Sequence, residues 1–298
     1  VISGSNATSN HYSISYSTGV LSITKAPLTA KVENTSKEYG SSNPSFCMEF
    51  VGLKNGEKTP VWSSSPSYTT SATIKSSVGE YEISAKATPK NYELSEISSG
   101  ILKITKAPLT LQANDLSKTY YSENPELTYT CNGLKYWDDI SVLTVGPILS
   151  TNAKKESNAG IYEITIKGAS AKNYVITYKD GHMTVQKRPL YVSVGNYERN
   201  YGEENPEFTI EYEGFVGADN YKSIDTEPYA YTSASKNTNV GTYTINITGG
   251  QDDNYSFYYN SGKITINKAE QDIIWNQDLT NLAVGEQVQL LAEASSGL

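Results

Sequence analysis

Cysteine, histidine and methionine are nearly missing from these 298 residues, with two of each. Cys47 and Cys131 build no disulfide framework, and no CxxC spacing offers a thiolate metal site. His11 and His182 have no periodic partners. A Ser-His-Asp or Cys-His arrangement would need residues brought in from far along the chain, and nothing local points to one. Charge is scarce too: 19% of residues are Asp, Glu, Lys or Arg, and the net charge is −8. No basic cluster is denser than Lys154-Lys155 or Lys187-Arg188, which argues against nucleic acid and against an anionic membrane surface as partners. No apolar run approaches the ~18 residues of a membrane-spanning helix, so no membrane insertion is expected. EF-hand spacing and a phosphate-cradling glycine loop are both absent.

What fills the gap is tyrosine, 24 of them, with abundant Ser, Thr and Asn. β-branched residues, tyrosine and turn formers favour strands over helices. They recur with a period of 81 residues. Pro27-Leu28-Thr29 returns as Pro108-Leu109-Thr110 and Pro189-Leu190-Tyr191. The same period relates Tyr39, Tyr120 and Tyr201, then Asn43-Pro44, Asn124-Pro125 and Asn205-Pro206. It relates Gly52, Gly133 and Gly214, then Gly79, Gly160 and Gly241, then Tyr81, Tyr162 and Tyr243. Internal self-similarity of this length marks tandem structural units.

Residues 27–107, 108–188 and 189–269 are three full copies, and 1–26 reads as the C-terminal part of a further, truncated one. The pattern stops at Glu270, and 270–298 reads as the truncated start of a different module. One copy runs into the next through Lys106-Ala107-Pro108 without a Gly/Ser linker. Because proline fixes φ at the joint, hinges should be restricted and the array elongated.

Period-2 alternation defines at least five strands per copy. Leu28, Ala30 and Val32 alternate, as do Phe46, Met48 and Phe50, Tyr81, Ile83 and Ala85, and Leu102 and Ile104. The fold class expected is mainly β: tandem 81-residue antiparallel β domains. Asp138-Asp139 ahead of Ile140 and Asp219 ahead of Tyr221 have the form of helix caps. They leave open a second architecture, a β-grasp-like two-layer unit with one short helix. The strand register places Cys131 inward, as a buried thiol, and Cys47 outward.

Between Gly52 and Gly79, and between their counterparts in the other copies, lie 26 variable residues. Aromatics outside the inward alternation fall mostly there, and Trp62, Tyr136, Trp137, Tyr229 and Tyr231 are the candidate ligand-contact residues. Exposed rings stack on sugars or grip proteins. The alternative role for the same rings is to cover a sheet or a joint between copies. Paired acids (Asp138-Asp139, Asp252-Asp253, Glu203-Glu204) read as turn and cap residues rather than as catalytic carboxylates. Asp252-Asp253-Asn254 and Asp219-Asn220 offer hard oxygens but no recognised calcium spacing. No catalytic, cofactor-binding or metal-ligating residue is assigned. The third copy carries five basic and eleven acidic side chains, whereas the first and second each carry nine basic and eight acidic.

Tyr39-Gly40-Ser41-Ser42-Asn43-Pro44, Tyr201-Gly202-Glu203-Glu204-Asn205-Pro206, Val78-Gly79-Glu80-Tyr81, Val240-Gly241-Thr242-Tyr243, Asn173-Tyr174 and Asn254-Tyr255 resemble the signature of MBG domains of the YGX type. The final segment, with Ile274-Trp275-Asn276-Gln277 and Val284-Gly285-Glu286, resembles the start of a bacterial Ig-like domain. Such families imply large, modular, exported bacterial proteins with no catalytic residues to carry over. The resemblance implies a non-enzymatic stalk or spacer at the cell surface, outside the cell and monomeric. A glycan- or host-protein-binding adhesive module is the other role it allows. The second copy departs from the pattern, with Tyr121 where the others have Gly40 and Gly202. A glycine with positive φ there would leave Tyr121 strained by about 1 kcal/mol.

Overall fold

The computed structural model describes residues 1–135 and 137–297. The chain falls into two compact units. One contains Val1–Asn114, Thr128–Ser150 and Thr165–Asp180; the other contains Asp115–Leu127, Thr151–Ile164 and Gly181–Leu298. The first repeat lies wholly in the first unit and the third wholly in the second, while the middle repeat contributes to both.

The first repeat shows how alternation becomes a sandwich. Its strands are β1 (Ala26–Val32), β2 (Thr35–Glu38), β3 (Met48–Val51), β4 (Trp62–Thr69), β5 (Gly79–Pro89), β6 (Tyr92–Ser98) and β7 (Gly100–Thr105). They form a three-stranded sheet, β3-β1-β6, and a four-stranded sheet, β2-β7-β5-β4. Leu28, Ala30 and Val32 from one sheet and Ile83, Leu102 and Ile104 from the other are buried, so the apolar faces form the core while intervening residues meet water. The third repeat has the same two sheets. There Leu190, Val192, Val194, Ile245, Ile264 and Ile266 pack in one cluster.

The ladders are mixed. β1 pairs antiparallel with β3 but parallel with β6, and β2 pairs parallel with β7. Two extended runs, β1–β2 and β6–β7, lie side by side and cross from one sheet to the other at the same level. Gly100 marks the crossing: a Cβ there would sit 2.7 Å from the Val32 carbonyl oxygen, so only glycine fits. The N–H that follows is satisfied by a side chain, as Asn34 Oδ1 accepts from Ile101 N at 2.8 Å. Asp115 does the same for His182 N, and Asn196 for Lys263 N.

The all-β, tandem-domain expectation holds, and the helix-bearing alternative does not. The capped segments make only single 3-10 turns, Ile140–Val142 and Tyr221–Ser223. Asp139 and Asn220 are the caps, and Leu143 and Ile224 return at once to extended backbone. Thr144, Val145, Gly146 and Pro147 after the first turn, and Thr226 and Pro228 after the second, are poor or prohibited helix residues, so neither turn propagates. Cys131 is half-buried rather than buried, because Tyr129–Asn132 is the edge strand of its sheet; Cys47 is exposed.

Residues 1–25 bury no side chain and hold one isolated bridge, Ile2 with Gly19. Residues 270–297 hold one short pair, Ile273–Ile274 with Glu293–Ala294. Among the described residues no helix is long and apolar enough to cross a membrane.

Candidate functional site

The most elaborate chemistry in the chain lies where one repeat meets the next. At the first joint Tyr39, at the end of β2, sends its hydroxyl into the second repeat. It donates to the Asp138 carboxylate at 3.1 Å, and Tyr174 donates to the same oxygen. The two tyrosine rings meet edge to face, with centroids 5.5 Å apart. At the second joint Tyr120 donates to Asp219 at 3.1 Å and Tyr255 donates to the same oxygen at 2.8 Å. Their rings meet edge to face at 5.6 Å. One half-buried carboxylate thus holds two hydroxyls, one from each side of the joint. Burial pushes the Tyr174 and Tyr255 hydroxyls well above the usual tyrosine range, and the adjacent carboxylate adds to the shift.

Each joint has a second, backbone-level tie. Asn173 Oδ1 accepts from Val78 N at 3.1 Å, and Asn254 Oδ1 accepts from Ala159 N at 2.9 Å. The lysines of the linker-free connection are also engaged: Lys106 Nζ donates to the Ala171 carbonyl and Lys187 Nζ to that of Asp252.

The loop that carries the projecting tyrosine is pinned from within its own repeat. Lys37 is buried and donates to the carbonyls of Ser41 and Thr73. Lys118 does so for Ser122 and Lys154. Arg199 takes over in the third repeat, reaching Asn205 Oδ1, the Asn200 carbonyl and the Ser235 carbonyl. Burial lowers the pKa of both lysines. Asn43, Asn124 and Asn205 donate to the carbonyls of Ala72, Ala153 and Ala234. The sequence reading missed these residues as a set, although Lys37, Lys118 and Arg199, and likewise Glu57, Asp138 and Asp219, recur at the same 81-residue period.

The candidate contact residues divide. Trp137 belongs to the first joint: its Nε1 donates to the Tyr39 hydroxyl at 3.3 Å, and Lys75 Nζ lies 5.4 Å above its ring. Trp62 starts β4 and packs on Phe50, centroids 5.7 Å apart, covering the sandwich edge. Tyr229 and Tyr231 are exposed neighbours on the strand Thr226–Thr232, 6.2 Å apart. Tyr229 borders a cleft of about 630 Å³ with Phe208, Tyr212, Tyr221, Glu207 and Glu227. Tyr136 lies outside the described residues. Two of the acidic groups considered for a cation are engaged in the fold: Asp219 accepts the two tyrosines, and Asp252 accepts from the N–H groups of Asn254 and Tyr255.

The recurring residues at these joints are those of a recognised module. A family model described as MBG domain (YGX type) matches residues 28–103, 109–184 and 190–265. The chain belongs to this family. No curated protein sequence matches the chain. Solved structures similar to it include two multi-domain proteins. Drosophila N-cadherin EC1-3 matches with a TM-score of 0.24 and 10% identity, over 83% of this chain and 98% of that one. The three N-terminal domains of the bacteriophage RB49 Highly Immunogenic Outer Capsid protein (Hoc) match with a TM-score of 0.24 and 7% identity, over 83% and 99%.

The MBG signature acquires physical roles in this chain. The Tyr of Tyr-Gly is the joint anchor, and the Asn of Asn-Pro pins the loop behind it. The Tyr of Val-Gly-x-Tyr closes its own turn, as Tyr81, Tyr162 and Tyr243 each donate to the carbonyl four residues back at 2.9 Å. Asn-Tyr supplies the receiving side of the joint. In the second MBG repeat Tyr121 does adopt positive φ, 63°, where Gly40 has 81° and Gly202 has 87°. Its ring lies against Gly217 of the next repeat, where a Cβ would come within 2.7 Å.

Proposed function

We propose that this chain is a non-catalytic spacer region of an exported bacterial cell-surface protein, with tandem MBG domains set in series to hold another module away from the surface. Tandem domains of this family fit a modular surface-protein region. The observation that carries the reading is the repetition of one joint, Tyr–carboxylate–Tyr plus Asn to backbone N–H, with the same residue spacing twice. Mobile linkers need no such contacts, since flexible chains act through reach alone. The Ig-like start at residue 270 would then continue the same series with another module. Amide exchange tests the reading: the Val78 and Ala159 N–H groups, held by the joint asparagines, should exchange slowly, and exchange at the rate of free amides would overturn it.

A second reading, adhesion, has its own observation. The cleft in the third repeat presents Tyr229 and Tyr221 rings beside Glu207 and Glu227, with no basic side chain in its lining. That combination suits the apolar face and hydroxyls of a neutral sugar. A glycan and matrix-protein binding screen tests it. A hit abolished by Tyr229→Ala supports adhesion, and a clean negative with folded protein leaves the spacer alone.

A further inference from the structure

The cleft in the third repeat lies at a seam. Ile210 and Tyr212 line one wall, and Pro228, Tyr229 and Ala230 the other. They belong to Ile210–Glu213 and Thr226–Thr232, the outermost strands of the repeat's two sheets. Among the described residues each pairs on one side only, the first with Arg188–Val194 and the second with Gly241–Gln251. The cleft is therefore the gap between two sheet edges, each with a row of backbone N–H and C=O groups that has no strand partner.

The first repeat shows what closes such a seam. Its Tyr68 stands where the third repeat has Ala230: Tyr68 pairs with Ala85, and Ala230 with Ile247, the same position two repeats on. The Tyr68 ring packs on Phe46, centroids 6.0 Å apart. Phe208, the counterpart of Phe46, lines the cleft, and opposite it Ala230 ends at a methyl. A ring-sized place that the first repeat fills from its own chain is thus open in the third.

The rim is acidic. Glu207 and Glu227 line the cleft and are exposed, and Glu211 and Glu213 are exposed along the Ile210–Glu213 strand. The adjoining turn brings a base, Lys222, whose Nζ lies 5.7 Å from the centre of the Tyr221 ring. An ammonium therefore already settles on a tyrosine at this rim.

We infer that the seam takes an extended segment of a partner polypeptide in which an aromatic residue is flanked on both sides by lysine or arginine. The inference rests on the adhesive reading and names its partner. The segment adds a strand to Ile210–Glu213, because Pro228 removes a donor from the opposite edge. Successive side chains of an added strand alternate. The aromatic one turns in onto Phe208, taking the place that Tyr68 holds in the first repeat, and its neighbours turn out beside Glu211 and Glu213. Charge complementarity selects the basic flanks. A sugar would stack on the same rings but leave the strand edge unpaired.

The test is an NMR titration of the full ¹⁵N-labelled chain with a synthetic peptide of about seven residues, alternating lysine with tyrosine, up to about 1 mM, the range of a single small contact. The expected result is shifts at Ile210–Glu213 and at Glu227, Tyr229 and Ala230 that fade in high salt. Ala230→Tyr, which restores the plug of the first repeat, should weaken binding about tenfold or more. The double variant Glu211→Lys with Glu213→Lys should do the same; both sites are exposed, so it keeps the fold, as the same spectrum reports. No shifts with the lysine peptide, equal shifts with a glutamate-for-lysine peptide, or an affinity unchanged in either variant would each overturn the inference. A neutral oligosaccharide, cellotetraose, separates it from the reading it rests on. Shifts at the same amides with the peptide silent overturn the inference and leave adhesion standing, while silence from both removes the cleft as an adhesive site.

Discussion

The two joints use one framework and finish it differently. The first adds charge: Lys135 Nζ pairs with Glu38 at 2.8 Å, and Trp137 bonds to Tyr39 under the Lys75 ammonium. The second adds rings: Tyr121 lies against Gly217 and 6.1 Å from Tyr120, and Phe215 meets Tyr255 edge to face at 5.4 Å. The shared Tyr–Asp–Tyr bonds set the direction of docking, and the variable additions give each joint a private lock. Adjacent repeats are therefore matched to one another rather than interchangeable.

Removing a shared carboxylate should have the largest effect. Asp219→Ala strands the Tyr120 and Tyr255 hydroxyls, costing about 2–6 kcal/mol at ~1–3 per orphaned buried group. Asp138→Ala should cost less at its own joint, because the ion pair and Trp137 remain. Hydrogen exchange separates the two: Ala159 N–H should accelerate in the first variant and Val78 N–H in the second, without crossover. Equal exchange at both would show that the joints are coupled.

Alkaline titration attacks the same bonds in the wild-type chain. The Tyr174 and Tyr255 hydroxyls titrate above the unfolded value of about 10. Above that pH the unfolded chain has lost protons that the folded one keeps, so stability should fall as pH rises past ~10 and be intact below it. Thermal melts across that range check the sign.

A smaller, one-sided loss should follow Gly217→Ala. Its Cβ meets the Tyr121 ring and its φ is 62°, for a combined cost of about 1–3 kcal/mol. The pair Gly217→Ala with Tyr121→Gly should recover most of it, and a double-mutant cycle measures the coupling. The smallest effect expected is that of Lys135→Met, about 0.2–1 kcal/mol, on the first joint only and vanishing in high salt.

Strand positions were legible because alternation is local: Leu28, Ala30 and Val32 need no partner to declare a face. Strand direction was not, since period 2 is the same in parallel and antiparallel ladders, and β1 with β6 turned out parallel. The joint was half legible. Tyr39, Tyr120 and Tyr201 stood out by period, but the acceptors of Tyr39 and Tyr120 lie 99 residues on, and no local pattern links Tyr39 to Asp138. Asp138 was also masked by Asp139, whose capping role explains an Asp-Asp pair by itself. Trp137 was read as a contact residue from its aromatic ring and its place in the variable stretch, outside the inward alternation, and only packing shows that the first joint uses it.

The parallel ladder between β2 and β7 has a mechanical meaning. Load carried along the polypeptide enters a repeat through its first strands and leaves through its last. In the first repeat those strands pair in register from Thr35 with Leu102 to Glu38 with Thr105. The third repeat has the same arrangement, Tyr197 with Ile264 to Asn200 with Asn267. Pulling the ends apart slides one strand along the other, so the rungs between them are strained together instead of opening one at a time. A repeat wired this way resists tension through its own hydrogen-bond ladder, before any core residue is exposed to water.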